Sequence, residues 1–198
     1  MFLDADERIM EDWKTEIAAF LNSPESDACD IITCFYDNWF MGRMLKHGDV
    51  MRKSAVMRVG AAEYEFIDEK GWSNLDMEIH EQLQSKRPNS EYAIAARLEH
   101  HDKRPLEAYY AKHEQYANWE SNRYLQLQKT PEAFDKLTAR QKKKYSLILK
   151  PWFGLAYFCA CYFAKFGILD GYPGFVFARG KMRYFRSIRE KILGMLKG

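Results

Sequence analysis

The sequence predicts an α/β fold, and three observations carry that expectation. A β-branched and aromatic run at 30–36, DIITCFY, reads as a strand. Residues 91–100 place Tyr92, Ile94, Ala96, Leu98 and His100 at every second position, the period of a strand with a histidine at its end. Segments 8–21 and 105–128 instead repeat their apolar residues at helical spacing.

Taken in chain order, Phe2-Leu3 reads as the end of a buried strand. Met10, Trp13, Ile17 and Phe20/Leu21 then define a helix over 8–21, stopped by Asn22-Ser23-Pro24. After the strand at 30–36, two short strands are expected at 55–59 (AVMRV) and 63–67 (EYEFI), on either side of Gly60. Pro105 can open a helix at its first turn, and the stretch to Gln128 carries Leu106, Tyr109, His113, Tyr116 and Tyr124 at helical spacing. Residues 129–150 read as a basic linker. Residues 151–169, PWFGLAYFCACYFAKFGIL, are nearly all apolar, a length that borders on a membrane span but is interrupted by Pro, Gly and Lys. A Gly/Pro break at 170–178 precedes a basic amphipathic segment, 179–197. Its stripe is Met182, Phe185, Ile188, Ile192 and Met195/Leu196.

The 198 residues are 47% hydrophobic, enough for a sizeable core. The net charge of +2 hides an asymmetry: residues 140–198 hold 13 Lys/Arg against two acids, whereas 1–139 hold 17 against 26. A basic, aromatic tail suits an anionic surface, membrane or nucleic acid. The apolar run favours the membrane, and no nucleic-acid motif accompanies the charge. The four cysteines form no zinc pattern. The acidic start does not read as a signal peptide, so the thiols are expected reduced and the chain cytoplasmic.

Asp4-Ala5-Asp6 is the motif with the most chemistry. Two carboxylates at a strand end can hold a hard divalent cation, and that cation can hold a diphosphate, as a nucleotide-sugar transferase requires. Alternatively, they are acidic caps of the following helix. The run FLDADERI is followed by Phe40-Met41-Gly42-Arg43, Lys46-His47-Gly48, Met57-Arg58-Val59 and Ile79-His80-Glu81-Gln82-Leu83. Then come Leu98-x-His100, Arg104, Leu106, Tyr109, Lys112, Tyr116, Trp119-Glu120, Lys150-Pro151, Phe166-Gly167-Ile168-Leu169-Asp170-Gly171 and Gly174-Phe175. This ordered set covers nearly the whole chain. It resembles the family 2 glycosyltransferases, in particular the bacterial subgroup that builds lipopolysaccharide core and exopolysaccharide, from its DxD motif onward.

The resemblance implies a partial GT-A fold without the N-terminal βαβ units, which would come from an upstream segment or a partner, and a membrane-associating tail. It implies three parts: 1–128 as the transferase portion, 129–150 as linker and 151–198 as tail. It implies an inverting transfer from a UDP-sugar or similar donor to a lipid-linked saccharide in cell-envelope polysaccharide synthesis, with Mn²⁺ or Mg²⁺, at the inner face of the cell membrane. Asp6 and His100 would ligate the metal, with Asp4 at the ribose or metal. Arg43, Lys46, His47 and Arg58 are cations available to the diphosphate, or ordinary surface charges. The base would be Glu81, with Asp76, Glu78 and His80 as neighbouring alternatives; the same acids also suit a solvated surface helix. His101 should point away from His100. Tyr109, Tyr116, Trp119 and Tyr124 are expected to pack, and Cys159 and Cys161 to be small buried residues. The alternative reading is a catalytically inactive remnant or accessory protein that binds membrane or a partner.

Overall fold

β2 runs Ile31–Phe40, four residues beyond the DIITCFY run, and organises the first half of the chain. The computed structural model describes residues 1, 3–65, 67, 72 and 83–197. β1 (Glu7–Ile9), β3 (Arg43–Leu45), β4 (Arg52–Met57) and β7 (Glu91–Asp102) complete a mixed five-stranded sheet with β2. β7 lies parallel to β2, with Asn38 opposite His100, and antiparallel to β1, with Glu7 opposite the same histidine. β3 and β4 both run antiparallel to β2, each along one half of it. β5 (Ala62–Tyr64) and β6 (Leu83–Ser85) form a separate antiparallel pair.

Ile31, Ile32, Thr33 and Cys34 are all buried, because both faces of β2 are covered at this end. Ile32, Cys34, Ile94, Ala96 and Leu98 pack with Trp13 and Phe20 of helix α1 (Glu11–Leu21). Ile31 packs instead with Ala62 and Leu83 of the β5–β6 pair. The helix expected over 8–21 loses its first residues to the sheet. Glu7–Ile9 take their backbone hydrogen bonds from β7, and Met10 is extended and exposed.

Division of the chain falls at 103/104: one unit is Met1–Lys46 with Val50–Lys103, the other His47–Asp49 with Arg104–Gly198. The second unit is helical: α2 (Leu106–Lys129), α3 (Pro131–Asp135), α4 (Ala139–Leu147), α5 (Phe153–Cys159) and α6 (Gly171–Met195). The boundaries expected at 128/129 and 150/151 fall inside it. The stretch expected as a linker carries a capping box, in which Thr138 and Gln141 exchange side-chain and backbone hydrogen bonds. Leu137, Tyr145 and Ile148 enter the helical core. Lys144 Nζ lies 2.7 Å from buried Glu120, which also accepts from Tyr145 Oη at 2.9 Å. Tyr109, Trp119 and Tyr124 are buried, as packing residues should be, with Tyr116 partly buried.

The tail departs from its expected form. α5 continues as a π-turn over Ala160–Ala164, reverses at Phe166 and passes through a 3₁₀ turn, Gly167–Asp170. α6 then begins at Gly171, so the expected break at 170–178 is a helix start, with Pro173 in a first turn that needs no N–H partner. The centre of the stripe expected to meet lipid is core: Phe185, Ile188 and Ile192 are buried with Ala117, Tyr124, Tyr145 and Ile148, while Met195 and Leu196 at its end are exposed. Among the described residues no single helix is long and apolar enough to cross a membrane. Phe153–Ala164 and Gly167–Met195 qualify only together, bent by 73°.

Residues His47–Asp49 lie between β3 and β4 in the chain yet belong to the helical unit. Buried Asp170 accepts from the His47 backbone N–H at 2.9 Å and faces His47 Nδ1 at 3.1 Å. Gly48 N–H donates to the Lys165 carbonyl at 2.9 Å, and Tyr157 Oη donates to Asp49 at 2.7 Å. Burial, with the Asp49 carboxylate beside it, pushes the Tyr157 hydroxyl pKa far up, so it remains a donor.

Candidate functional site

Asp4-Ala5-Asp6 sits on a turn that leads into β1 rather than at a strand end. Leu3 is exposed and in no strand, and Phe2 lies outside the described residues. Glu7 N–H donates to the Asp4 carbonyl at 3.1 Å, while Asp4 N–H donates to Glu7 Oε2 at 3.0 Å. The Asp6 carbonyl accepts from His101 N–H at 2.9 Å, tying the turn to β7.

This pairing puts Glu7, His100 and Asn38 in one row across β1, β7 and β2, and directly paired residues share a sheet face. His100 Nδ1 lies 3.0 Å from Asn38 Oδ1, and His100 Nε2 lies 3.5 Å from Asp6 Oδ2. With Asn38 Oδ1 as acceptor, Nδ1 donates, and Nε2 is the ring nitrogen that faces Asp6. The Asp6 carboxylate and the imidazole are both partly exposed. His101 faces the other way, against Glu99 Oε2 at 2.9 Å and stacked on Trp39, as strand alternation requires.

Beneath the pair lies a buried ionic group. The Glu7 side chain is 0% exposed, and Lys53 Nζ is 2.5 Å from its Oε2 and 3.3 Å from Asp4 Oδ2. Tyr36 Oη donates to Glu7 Oε1. Burial and the adjacent carboxylate hold the Tyr36 hydroxyl protonated far above its ordinary pKa. Sequence reasoning missed Glu7, Lys53, Tyr36 and Asn38. Only the alternation His100, Leu98, Ala96 pointed to this face.

The predicted cations separate. Arg43 is exposed at the tip of the β2–β3 hairpin, paired with Phe40 and on the Asn38 face. Two residues along and one strand across place its backbone roughly 8 Å from that of Asn38. Lys46 is exposed just after β3, and His47 is committed to Asp170. Arg58 is remote: its N–H donates to the Asp30 carbonyl, and its guanidinium to the Cys29 carbonyl at 3.2 Å and the Ser26 carbonyl at 2.8 Å. Asp30 is eight residues from Asn38, roughly 26 Å of strand, so Arg58 anchors the opposite end of the sheet. Asp76, Glu78, His80 and Glu81 lie outside the described residues.

Compared with known proteins, the chain matches no family model, no curated protein and no solved structure. Its chemistry rests on the residues themselves.

Among the described residues no three His, Cys, Asp or Glu side chains gather to hold a metal ion; Asp6 and His100 are a pair. Their 3.5 Å separation is near the roughly 3 Å between adjacent ligands of a small octahedral cation at ~2.1 Å. One carboxylate oxygen and one imidazole nitrogen suit Mn²⁺ better than Mg²⁺. Such a cation keeps several positions for water and substrate oxygens, so the pair fits a metal completed by its ligand. The cysteines fit no such role: Cys29, Cys34 and Cys161 are buried free thiols, while Cys159 is exposed. Burial pushes the Cys161 thiol up to about 11.

Within the sheet unit, another buried carboxylate lies at the Arg58 end. Asp30 is bonded by Arg87 and by Ser85 Oγ at 2.6 Å, and this holds its pKa below the usual carboxylate range. The group therefore contributes stability above an unfolded pKa of ~3.9 and loses it as pH falls toward the folded value. The thermal midpoint should drop between about pH 4 and pH 2. Asp30→Asn should have a lower midpoint at neutral pH and a flatter acid slope, read by circular dichroism; an unchanged slope would rule out the Asp30 pair as its source.

Proposed function

We propose that this chain is part of an inverting nucleotide-diphospho-sugar transferase of GT-A type, acting on a lipid-linked saccharide at a cytoplasmic membrane surface. The observation that supports it is the convergence of Asp6, on the turn before β1, and His100, near the end of β7, at 3.5 Å. The resemblance selects the same two residues as metal ligands.

Asp6 Oδ2 and His100 Nε2 would hold the cation. When bound, it supplies Lewis-acid neutralisation of the departing nucleoside diphosphate. Asn38 Oδ1, 3.0 Å from His100 Nδ1, would hold the tautomer that leaves Nε2 to the metal, the usual duty of a residue behind a ligand. The Asp4 carboxylate, 3.3 Å from Lys53 Nζ, would contact the ribose or metal. Arg43, exposed on the same face, can take a phosphate bidentately. Removal of the acceptor hydroxyl proton is assigned to Glu81, with Asp76 and His80 as alternatives.

The test is Mn²⁺-dependent hydrolysis or transfer from a UDP-sugar by the full chain. Asp6→Asn and His100→Ala should each lower turnover by about 10²-fold or more with the fold intact by circular dichroism. Asn38→Ala should weaken Mn²⁺ affinity about 10–100-fold. Wild-type rates in Asp6→Asn would exclude Asp6 as the metal ligand, and no UDP-sugar binding by the wild-type chain would exclude transfer by this chain on its own and favour the accessory-protein alternative.

A further inference from the structure

We propose that the bend between α5 and α6 is a wedge that enters the interfacial layer of an anionic lipid bilayer. The inference rests on the membrane placement in the proposed function, not on its transfer chemistry.

Small buried residues, Gly154, Cys161, Gly167 and Gly174, bring the backbones of this segment together, while Phe153 and Tyr157 pack on Phe185. A Cβ on Gly154 would sit 3.0 Å from the Met182 carbonyl, one on Gly167 2.7 Å from the Cys161 carbonyl, and one on Gly174 2.3 Å from the Gly167 carbonyl. Close backbone approach through small residues, with large residues outward, is the arrangement helices use in lipid. The outward residues are large and apolar: Trp152, Leu155, Phe163, Phe166, Ile168, Leu169 and Tyr172 are 47–67% exposed. Single exposed apolar residues are ordinary, but seven within 21 positions form a patch that calls for a partner. Phe166, at φ +59°, holds an uncommon left-handed backbone at the apex of the bend.

Charge selects the partner. Lys150 and Lys165 flank the bend, and residues 140–198 carry 13 Lys/Arg against two acids, one of which, Asp170, is buried; of these cations, Lys144 and Lys191 pair with Glu120 and Glu114, and Lys165 lies 4.0 Å from Asp49. An excess of cations beside exposed aromatic and aliphatic residues matches an anionic headgroup layer over hydrocarbon. The 73° bend makes the segment a shallow wedge rather than a span. The apolar stripe of α6 does not supply this contact, because Phe185, Ile188 and Ile192 are already core.

The experiment is vesicle flotation of the full chain with phosphatidylcholine alone and with phosphatidylcholine mixed with phosphatidylserine, an anionic lipid of the cytoplasmic leaflet. The wild type should float with the anionic vesicles and much less with the neutral ones. Phe163→Ser/Phe166→Ser/Leu169→Ser should reduce partitioning on the order of 100-fold, three half-exposed large side chains each losing part of their transfer free energy, with an unchanged circular dichroism spectrum. Flotation undiminished in the triple variant would overturn the wedge and leave the membrane placement standing. Failure of the wild type to float would overturn both. Wild-type dimers abolished by the same substitutions, without flotation, would assign the patch to a second copy of the chain and overturn the proposal. UDP-sugar binding, measured separately, reports on the transfer chemistry.

Discussion

Replacing Glu7 by alanine is expected to lower the unfolding free energy of the sheet unit by about 3–5 kcal/mol, the cost of leaving one partner of a buried ion pair alone. The Glu7 carboxylate is wholly enclosed and Lys53 is only 13% exposed, so water cannot replace the lost charge cheaply. Two further donors lose their acceptor, Tyr36 Oη and Asp4 N–H. Surface ion pairs cost far less, a median of about 0–1 kcal/mol, so the magnitude separates the two cases. Urea unfolding followed by tryptophan fluorescence measures it, with Trp13 in the same core. Glu7→Leu combined with Lys53→Met should recover most of the loss, because removing both charges removes the desolvation cost as well. A loss below about 1 kcal/mol for Glu7→Ala would mean that the pair is solvated.

The second large effect is expected at Gly174. Alanine at an ordinary helical glycine gains up to about 1 kcal/mol. Here the new Cβ meets the Gly167 carbonyl oxygen at 2.3 Å and Asp170 Cβ at 2.8 Å, both at the bend. Neither is the free end of a flexible side chain, so the backbone must move, and overpacking of that kind costs about 1–3 kcal/mol or more. Gly174→Ala should therefore destabilise the helical unit by about 3 kcal/mol. Gly194→Ala, in the same helix with open space around its Cβ position, should leave stability unchanged or raise it by up to about 1 kcal/mol. The opposite signs, read from thermal unfolding at 222 nm, distinguish the clash from helix propensity. Equal shifts at both positions would show that the bend relaxes.

The strands with clear period were legible in the sequence. β7 alternates because one face lies under α1, and the start of β2 does not alternate because both its faces are buried. α2 was legible for the same reason, its aromatics recurring where they pack. β1 was not: three residues are too few to show a period, and their strand state comes from pairing with β7. α4 was hidden by its lysines, although Thr138-x-x-Gln141 is a local start signal that the sequence carries openly. The α6 stripe was read correctly as a stripe but given the wrong neighbour, since periodicity does not say whether lipid or protein covers a face.

In the candidate site, Asp6 and His100 were selected through the resemblance, and they come together. Glu7 was overlooked because a glutamate inside Asp-Ala-Asp-Glu-Arg reads as one more solvated acid. Its burial depends on Lys53 and Tyr36, residues more than 25 positions away. Arg58 illustrates the converse: its charge was visible, but its position at the far end of β2 depends on strand register.

The excursion of His47–Asp49 bears on how this gene can be divided. A cut at 103/104 looks natural from the chain order, yet each product would be incomplete. The first would carry a polar tripeptide whose acceptors and donors are on the other product. The second would enclose the Asp170 carboxylate without the two groups that His47 presents to it. The helical unit is thus encoded discontinuously, and a transplantable version needs residues 47–49 stitched to 104–198.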